Sequence, residues 1–362
     1  MKNKIQFLIA LLIIPSVMTA STDFNWKGKY SKEKTLKKEY NVSKNATLKV
    51  DNSYGNINVT TYDGSAVIIE VKIKTNGNDE EKVQKKLDDI TVDFSASSSL
   101  VSAKTLFSKN KSKSWWSWGK NNNVNMEINY TIKLPITNNV DLNNDYGSIT
   151  LDRLEGRAEI NCDYGKITTK ELMADGNSLN FDYTNNSYFE YIKSGSINAD
   201  YSGYTVTKTK NLEIVADYTK SEIEIAENID YNCDYGSVKI NNANNINGNG
   251  DYLTLRLGNI HKNVNLKADY GSIKIDKMVA NAGNIDIEAE YNGITIGHDA
   301  GYSFNFEIDL EYASLRESDG FEFNKKRIES TDKYYEGYHG SPNSGNNVRI
   351  RSDYGSVTFK RN

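Results

Sequence analysis

The chain has 362 residues, a formal net charge of −4, three histidines, two cysteines and only three prolines. Its Lys and Asp/Glu are interspersed, which excludes the basic face a nucleic-acid binder needs. His261, His298 and His339 lie far apart in sequence and in no ligand-like spacing, which argues against a zinc site or a Ser-His-Asp triad.

The chain opens with "MKNKIQFLIALLIIPSVMTAS", a basic start, an apolar run from Ile5 to Ile14 and small residues at Thr19, Ala20 and Ser21. This is the layout of a secretory signal peptide over residues 1–20 with cleavage near Ala20. The apolar run is short for a bilayer span, and no later stretch reaches that length. The mature chain is therefore expected to be exported, to the periplasm, the outer surface or the medium, with no transmembrane segment.

Residues 21–140 read as an N-terminal β-rich cap region. "LKVDNSYGNINV" (48–59) is a first rung of the repeat described below, and "VIIEVKIKT" (67–75) and "NMEINYTIKLP" (125–135) alternate as strands. Between them, "NDEEKVQKKLDDI" (78–90) spaces Val83, Leu87 and Ile90 as a short amphipathic helix that would cover an open sheet edge. The loop "KNKSKSWWSWGKNNN" (109–123) sets Trp115, Trp116 and Trp118 among Lys and Asn. Either these indoles form a contact tip for a glycan or a membrane surface, or they cover the end of the fold. They are the leading binding candidates.

From residue 141 to 362 the chain repeats. Aligned tyrosines stand at 54, 146, 164, 183, 201, 218, 235, 252, 270, 291, 312 and 354, with steps of 17–21 residues between Tyr146 and Tyr312. The gap to Tyr354 is about two such steps. Leu142, Ile160, Leu179, Ile197 and Ile214 stand four residues before their tyrosines, and small residues such as Cys162, Ala199 and Cys233 two before. Alternation of period two places both columns on one strand face. By the same parity the tyrosines should pack inward, as a stack at a corner. The glycine that often follows (Gly55, Gly147, Gly165, Gly236, Gly271, Gly355) marks a bend needing little side-chain volume or an unusual backbone angle. The predicted fold is all-β: a β-solenoid, right-handed and parallel-β-helix-like, of Asp-Tyr-Gly repeats capped by the N-terminal region. An antiparallel meander is also compatible with the alternation.

Cys162 and Cys233 fall in one column four rungs apart, about 19 Å at the spacing of a sheet. That exceeds the reach of a disulfide, so two separate buried thiols are expected.

The residue before each repeat tyrosine is an acid: Asp145, Asp163, Asp182, Asp200, Asp217, Asp234, Asp251, Asp269, Glu290, Glu311 and Asp353. Stacked about 4.8 Å apart, neighbours repel by roughly 0.9 kcal/mol even at the dielectric of water. Three offsets are open. The Asp side chains can fold onto N–H groups of the following Gly and Ser. Lys239, Arg256, Lys274 and Arg316, four residues after their tyrosines, can flank the acids. Cations can bind, with Asp145, Asp163, Asp182, Asp200 and Asp217 the place for calcium; no other cofactor is implied and the metal stays unassigned. Paired carboxylates also serve glycoside hydrolysis. Here, however, the acids are the repeat itself rather than a local exception, which argues for architecture over catalysis. In the insertion 317–347, Tyr334, Tyr335 and Tyr338 form a second contact patch or belong to a long final loop.

Taken in order, the signal peptide, "LKVDNSYGNINV", "YTIKLPITNNVDLNNDYGSITLDRLEG", the Asp-Tyr-Gly rungs and "GNNVRIRSDYGSVTFKRN" resemble the bacterial "putative adhesin" domain family, related to the auto-transporter adhesin head (GIN) domain. The resemblance covers most of residues 40–362. It implies an extracytoplasmic β-solenoid with a role in adhesion or at the cell envelope, and no catalytic residues to carry over. The expectation is a non-enzymatic binding scaffold whose partner is a cell-surface glycan or an envelope protein. The alternatives are a polysaccharide lyase or hydrolase on a β-helix, and an envelope component that acts through a protein partner under stress.

Overall fold

A computed structural model describes residues 26–108 and 124–362. Across them the chain is all-β with a single helix, and its strands join in one large, mostly parallel sheet. None of the described helices is long and apolar enough to cross a membrane.

The N-terminal part is mixed in direction. Strand Tyr30–Asn41 runs antiparallel to Ala66–Gly77, which runs antiparallel to Asn125–Pro135. The last of these lies parallel to Ile57–Tyr62 and so joins the repeat. The helix expected over 78–90 is found at Glu80–Asp89. Asp79 caps it by accepting from the Lys82 N–H, and Val83 and Leu87 are its buried residues.

Between successive rungs the pairing is parallel and in step with the sequence repeat, which removes the meander. Ile160 lies opposite Leu142, Asp163 opposite Asp145, and Asp200 opposite Asp182. After the tyrosine bend a second strand segment of each rung pairs in the same way, as with Ile167 opposite Ile149. The column four residues before the tyrosine is buried throughout. Where it carries Tyr231 the facing residue is Gly248, and a Cβ there would lie 1.9 Å from the Tyr231 ring. One large side chain is accommodated by its neighbour having none.

Two features near residue 362 depart from simple chain order. The final rung does not lie at the end of the row. Strand Asn347–Asp353 pairs with Ile285–Glu290 on one side and Phe304–Glu311 on the other, so the Tyr354 rung sits between those of Tyr291 and Tyr312. The 317–347 insertion is not one long loop: it contains the antiparallel strands Phe321–Ile328 and Asp332–His339, and the latter covers Phe304–Glu311. Tyr335 is buried there, with its ring 5.8 Å from that of Phe323. It is therefore unavailable to a contact patch.

Cys162 and Cys233 are free, buried thiols, as the register required. Burial pushes both up to about 12.

Candidate functional site, a tyrosine and carboxylate strip

Each rung turns at its tyrosine, and all twelve tyrosines have a left-handed backbone with φ between 50° and 64°. The bend angle therefore falls on the tyrosine and not on the glycine. The glycine serves the other purpose. At Gly147 a Cβ would lie 1.8 Å from the Gly55 carbonyl oxygen of the adjoining rung, and at Gly165 1.9 Å from that of Gly147. No side chain fits where rungs approach so closely.

The left-handed residue breaks the alternation, and this overturns the expectation of inward-packed tyrosines. From Tyr146 to Tyr354 the eleven rings are 45–54% exposed, while Tyr54 is half-buried beneath the edge of Phe107. Eleven successive pairs stack with centroids 4.7–5.2 Å apart and planes within 10°. The strip is thus on the order of 50 Å long. Neighbours cover the ring faces, so what reaches solvent is ring edges and hydroxyls. Sugar rings, which stack on aromatic faces, find none free along the strip.

The acids border this strip rung by rung. Their offset is not the local turn expected from the sequence. The Asp182 N–H donates to Asp163 Oδ1 across the rung spacing at 3.1 Å, and the same bond recurs to Asp182, Asp200, Asp217, Asp234 and Asp269 at 2.8–3.2 Å. Each repeat tyrosine N–H donates to the main-chain carbonyl of the acid on the adjoining rung, as Tyr164 does to Asp182, except that of Tyr312, which donates to the Thr331 carbonyl. One carboxylate oxygen is thereby tied to the ladder.

Three of the four flanking bases are committed elsewhere. Lys239 pairs with Glu222 at 3.7 Å, and Arg256 and Lys274 both reach Asp276, at 3.1 and 2.8 Å. Among the described residues no ladder acid forms an ion pair. Partial desolvation, followed by repulsion from neighbouring acids, raises the carboxyls of Asp145 and Asp251 above the usual range. At Asp182 desolvation again raises the value, partly countered by the Asp200 N–H. The phenols of Tyr164, Tyr235, Tyr270 and Tyr354 are also raised, first by desolvation and then by neighbouring tyrosines and acids.

The structure thus brings Asp145, Asp163, Asp182, Asp200 and Asp217 into one row and extends it through Asp234, Asp251, Asp269 and Glu290. No group of three or more His, Cys, Asp or Glu among the described residues is arranged to hold a metal ion. Trp115, Trp116 and Trp118, like the signal peptide, lie outside the described residues. One juxtaposition was not legible from sequence spacing. His298 and His339 meet with ring centroids 4.6 Å apart, His298 Nε2 bonding Ser318 Oγ at 2.9 Å and His339 Nδ1 the Tyr302 carbonyl at 3.0 Å. They join the last rungs to the covering strand, and burial lowers the affinity of His298 for a proton.

No family model and no curated protein matches this chain. Among solved structures it is similar to a "putative cell adhesion protein" from Clostridium sporogenes, at 10% identity and a TM-score of 0.18 over 91% of this chain and 100% of the other. It is also similar to a "putative adhesin" from Parabacteroides merdae, at 9% identity and a TM-score of 0.33 over 90% and 96%. A third is a "putative lipid binding protein" from Parabacteroides distasonis, at 11% and 0.29 over 90% and 96%. TM-scores this low leave the functional reading to the chain's own geometry.

Proposed function

We propose that this chain is an exported, non-enzymatic β-solenoid, right-handed in its coils, that works as an adhesin-type binding scaffold at the cell envelope or surface. The N-terminal 21–140 region caps the solenoid of 141–362, and residues 1–20 direct export. The observation that carries this reading is the strip itself. A catalytic centre is a local departure from its scaffold, whereas here one acid and one tyrosine repeat rung after rung from Asp145 and Tyr146 to Asp353 and Tyr354. A long periodic face suits multivalent contact, in which each rung adds a weak interaction and the row adds avidity. Trp115, Trp116 and Trp118 would supply the free aromatic faces that the strip lacks.

The test incubates the mature protein with a panel of polysaccharides and with isolated cell envelopes, scoring retention and newly formed chain ends together. Retention without cleavage is expected. New chain ends would replace this reading with a polysaccharide lyase or hydrolase. Absence of retention on every surface would remove the scaffold reading.

A further inference from the structure

We propose that the antiparallel hairpin of Phe321–Ile328 and Asp332–His339 is an acid-released cover, held on the last strands of the sheet at neutral pH and loosened when His298 takes up a proton. The cover and the scaffold reading are independent, and either can fail without the other.

The hairpin is packed to stay closed and jointed to swing. Strand Asp332–His339 lies antiparallel on Phe304–Glu311, whose other edge is paired with Asn347–Asp353. The Phe321 ring lies 5.0 Å from those of Phe306 and Phe359, and His339 stacks on Phe304 at 5.1 Å. Gly320 and Gly340 bracket the hairpin, with φ of 95° and 74°. At such angles glycine turns the chain without straining a side chain. If the hairpin leaves, the outer edge of Phe304–Glu311 loses its hydrogen-bonding partner.

The fastening that titrates sits where the two ends of the hairpin meet the rungs. His298 and His339 are both buried, with ring centroids 4.6 Å apart. His298 Nδ1 donates to the Asp299 carbonyl at 3.2 Å, which leaves Nε2 to accept from Ser318 Oγ at 2.9 Å. His339 Nδ1 donates to the Tyr302 carbonyl at 3.0 Å. One imidazole thus belongs to the rungs, and its contacts belong to the two ends of the hairpin, Ser318 near Gly320 and His339 beside Gly340.

A proton on His298 Nε2 meets no carboxylate to receive its charge. The Asp299 side chain is taken by Lys277 at 2.9 Å and by the Gly301 N–H at 3.0 Å. The strand of Met278, opposite His298, carries Lys277 and an Asp276 that Arg256 and Lys274 hold. The strand on the other side sets Arg361 opposite His298. Glu317 and Asp319 beside Ser318, and Glu307, Glu322 and Glu336 on the strands of Phe304, Phe321 and His339, are exposed, and none of them bonds either imidazole. Burial lowers the affinity of His298 for a proton; the Asp299 carbonyl partly restores it, and His339 and Arg361 lower it further. Opening returns the ring to water and to its ordinary value of 6.5, so the open hairpin binds the proton more tightly than the closed one. The hold is therefore whole above that value and is lost progressively as pH falls below it.

The experiment measures amide hydrogen exchange of the full mature protein at about pH 7.5 and about pH 5.5, corrected for intrinsic exchange. Protection of residues 332–339 should fall about threefold or more at the lower pH, while that of the rung strands Gly203–Asp217 and Lys220–Asp234 changes less than about twofold. His298→Gln, neutral at both pH values, should show no acid response at 332–339. Should that variant fold poorly, Ser318→Asp carries the test: it sets a carboxylate against Nε2, so acid should leave protection of the hairpin unchanged or raise it. No loss at 332–339, an equal loss in hairpin and rungs, or survival of the parent's acid response in either variant would overturn the inference.

Discussion

Tyr218 and Tyr235 stack face to face, ring centroids 4.9 Å apart and 5° from parallel, although each holds a backbone φ of 52°. A left-handed L-residue costs about 1–2 kcal/mol. An aromatic pair returns about 0.5–1.5 kcal/mol beyond area burial, and each interior ring of the strip belongs to two pairs. Stacking therefore offsets the strain, which explains why tyrosine occupies a position where glycine would be the local choice.

The balance can be measured at one rung. Tyr218→Ala keeps the strain and loses both stacks, so it should lower stability by about 1–3 kcal/mol in chemical denaturation. Tyr218→Gly loses the stacks and also the strain, and should be milder by about 1 kcal/mol. Equal losses would show that the backbone angle is not the opposing term.

Gly165→Ala tests the contact between rungs. The new methyl would meet the Gly147 carbonyl, a main-chain group in the bend between the strands Asn139–Asp145 and Ser148–Leu151, which cannot swing aside as a flexible side chain could. A cost of about 1–3 kcal/mol is expected, as for other overpacked interiors. Gly176→Ala has open space around it and a positive φ. It should show backbone strain alone, so comparing the two variants separates crowding from conformation.

Acid titration gives the third prediction, and its sign follows from the direction of each shift. Asp145, Asp182 and Asp251 bind a proton more readily folded than unfolded. Their contribution to stability grows as pH falls from neutral toward the usual carboxylate range and is lost as pH rises through the folded values. Asp79 and Asp299 are shifted the other way, by the Lys82 and Gly301 N–H groups respectively, and lose their contribution only below that range. His298 opposes the strip, since its depressed value contributes stability that is lost as pH falls from its unfolded value of 6.5 through the folded one. In a His298→Gln background the melting temperature should therefore rise on mild acidification. Adding Asp145→Asn, Asp182→Asn and Asp251→Asn should flatten that rise. An unchanged slope after those three substitutions would place the effect elsewhere.

Thiol reactivity checks the register. With both thiols buried and raised to about 12, Cys162 and Cys233 should resist alkylation in the native protein at neutral pH. Both should react on unfolding without a reductant. A link between them under non-reducing conditions would contradict their placement in separate rungs.

Much of this was legible because it rests on period alone. Columns such as Leu142, Ile160 and Leu179 predicted burial and parallel register, and the same register separated the cysteines. The spacing of Val83 and Leu87 marked the helix. The strip was misread at one point, the extrapolation of alternation through Tyr146 and its equivalents. A single left-handed residue reverses the face of everything after it, and sequence gives tyrosine no such reputation. The partner of each Asp lay equally out of sight, because the bond goes to the main chain of another rung and leaves no mark within one repeat. Bringing His298 against His339 required knowing that the covering strand folds back on Phe304–Glu311.

The rung of Tyr354, lodged between those of Tyr291 and Tyr312, bears on how the molecule is assembled. A chain delivered from its N-terminus can add rungs progressively as far as Glu290, each on a finished template. Beyond that, residues 304–316 have no partner on their inner side until 347–361 arrive. They and the covering hairpin must wait, or dock first in a position they will later vacate. The final closure is thus an insertion rather than an addition. It makes residues 347–361, which follow both of their neighbours in the chain, the stretch that locks this end of the sheet.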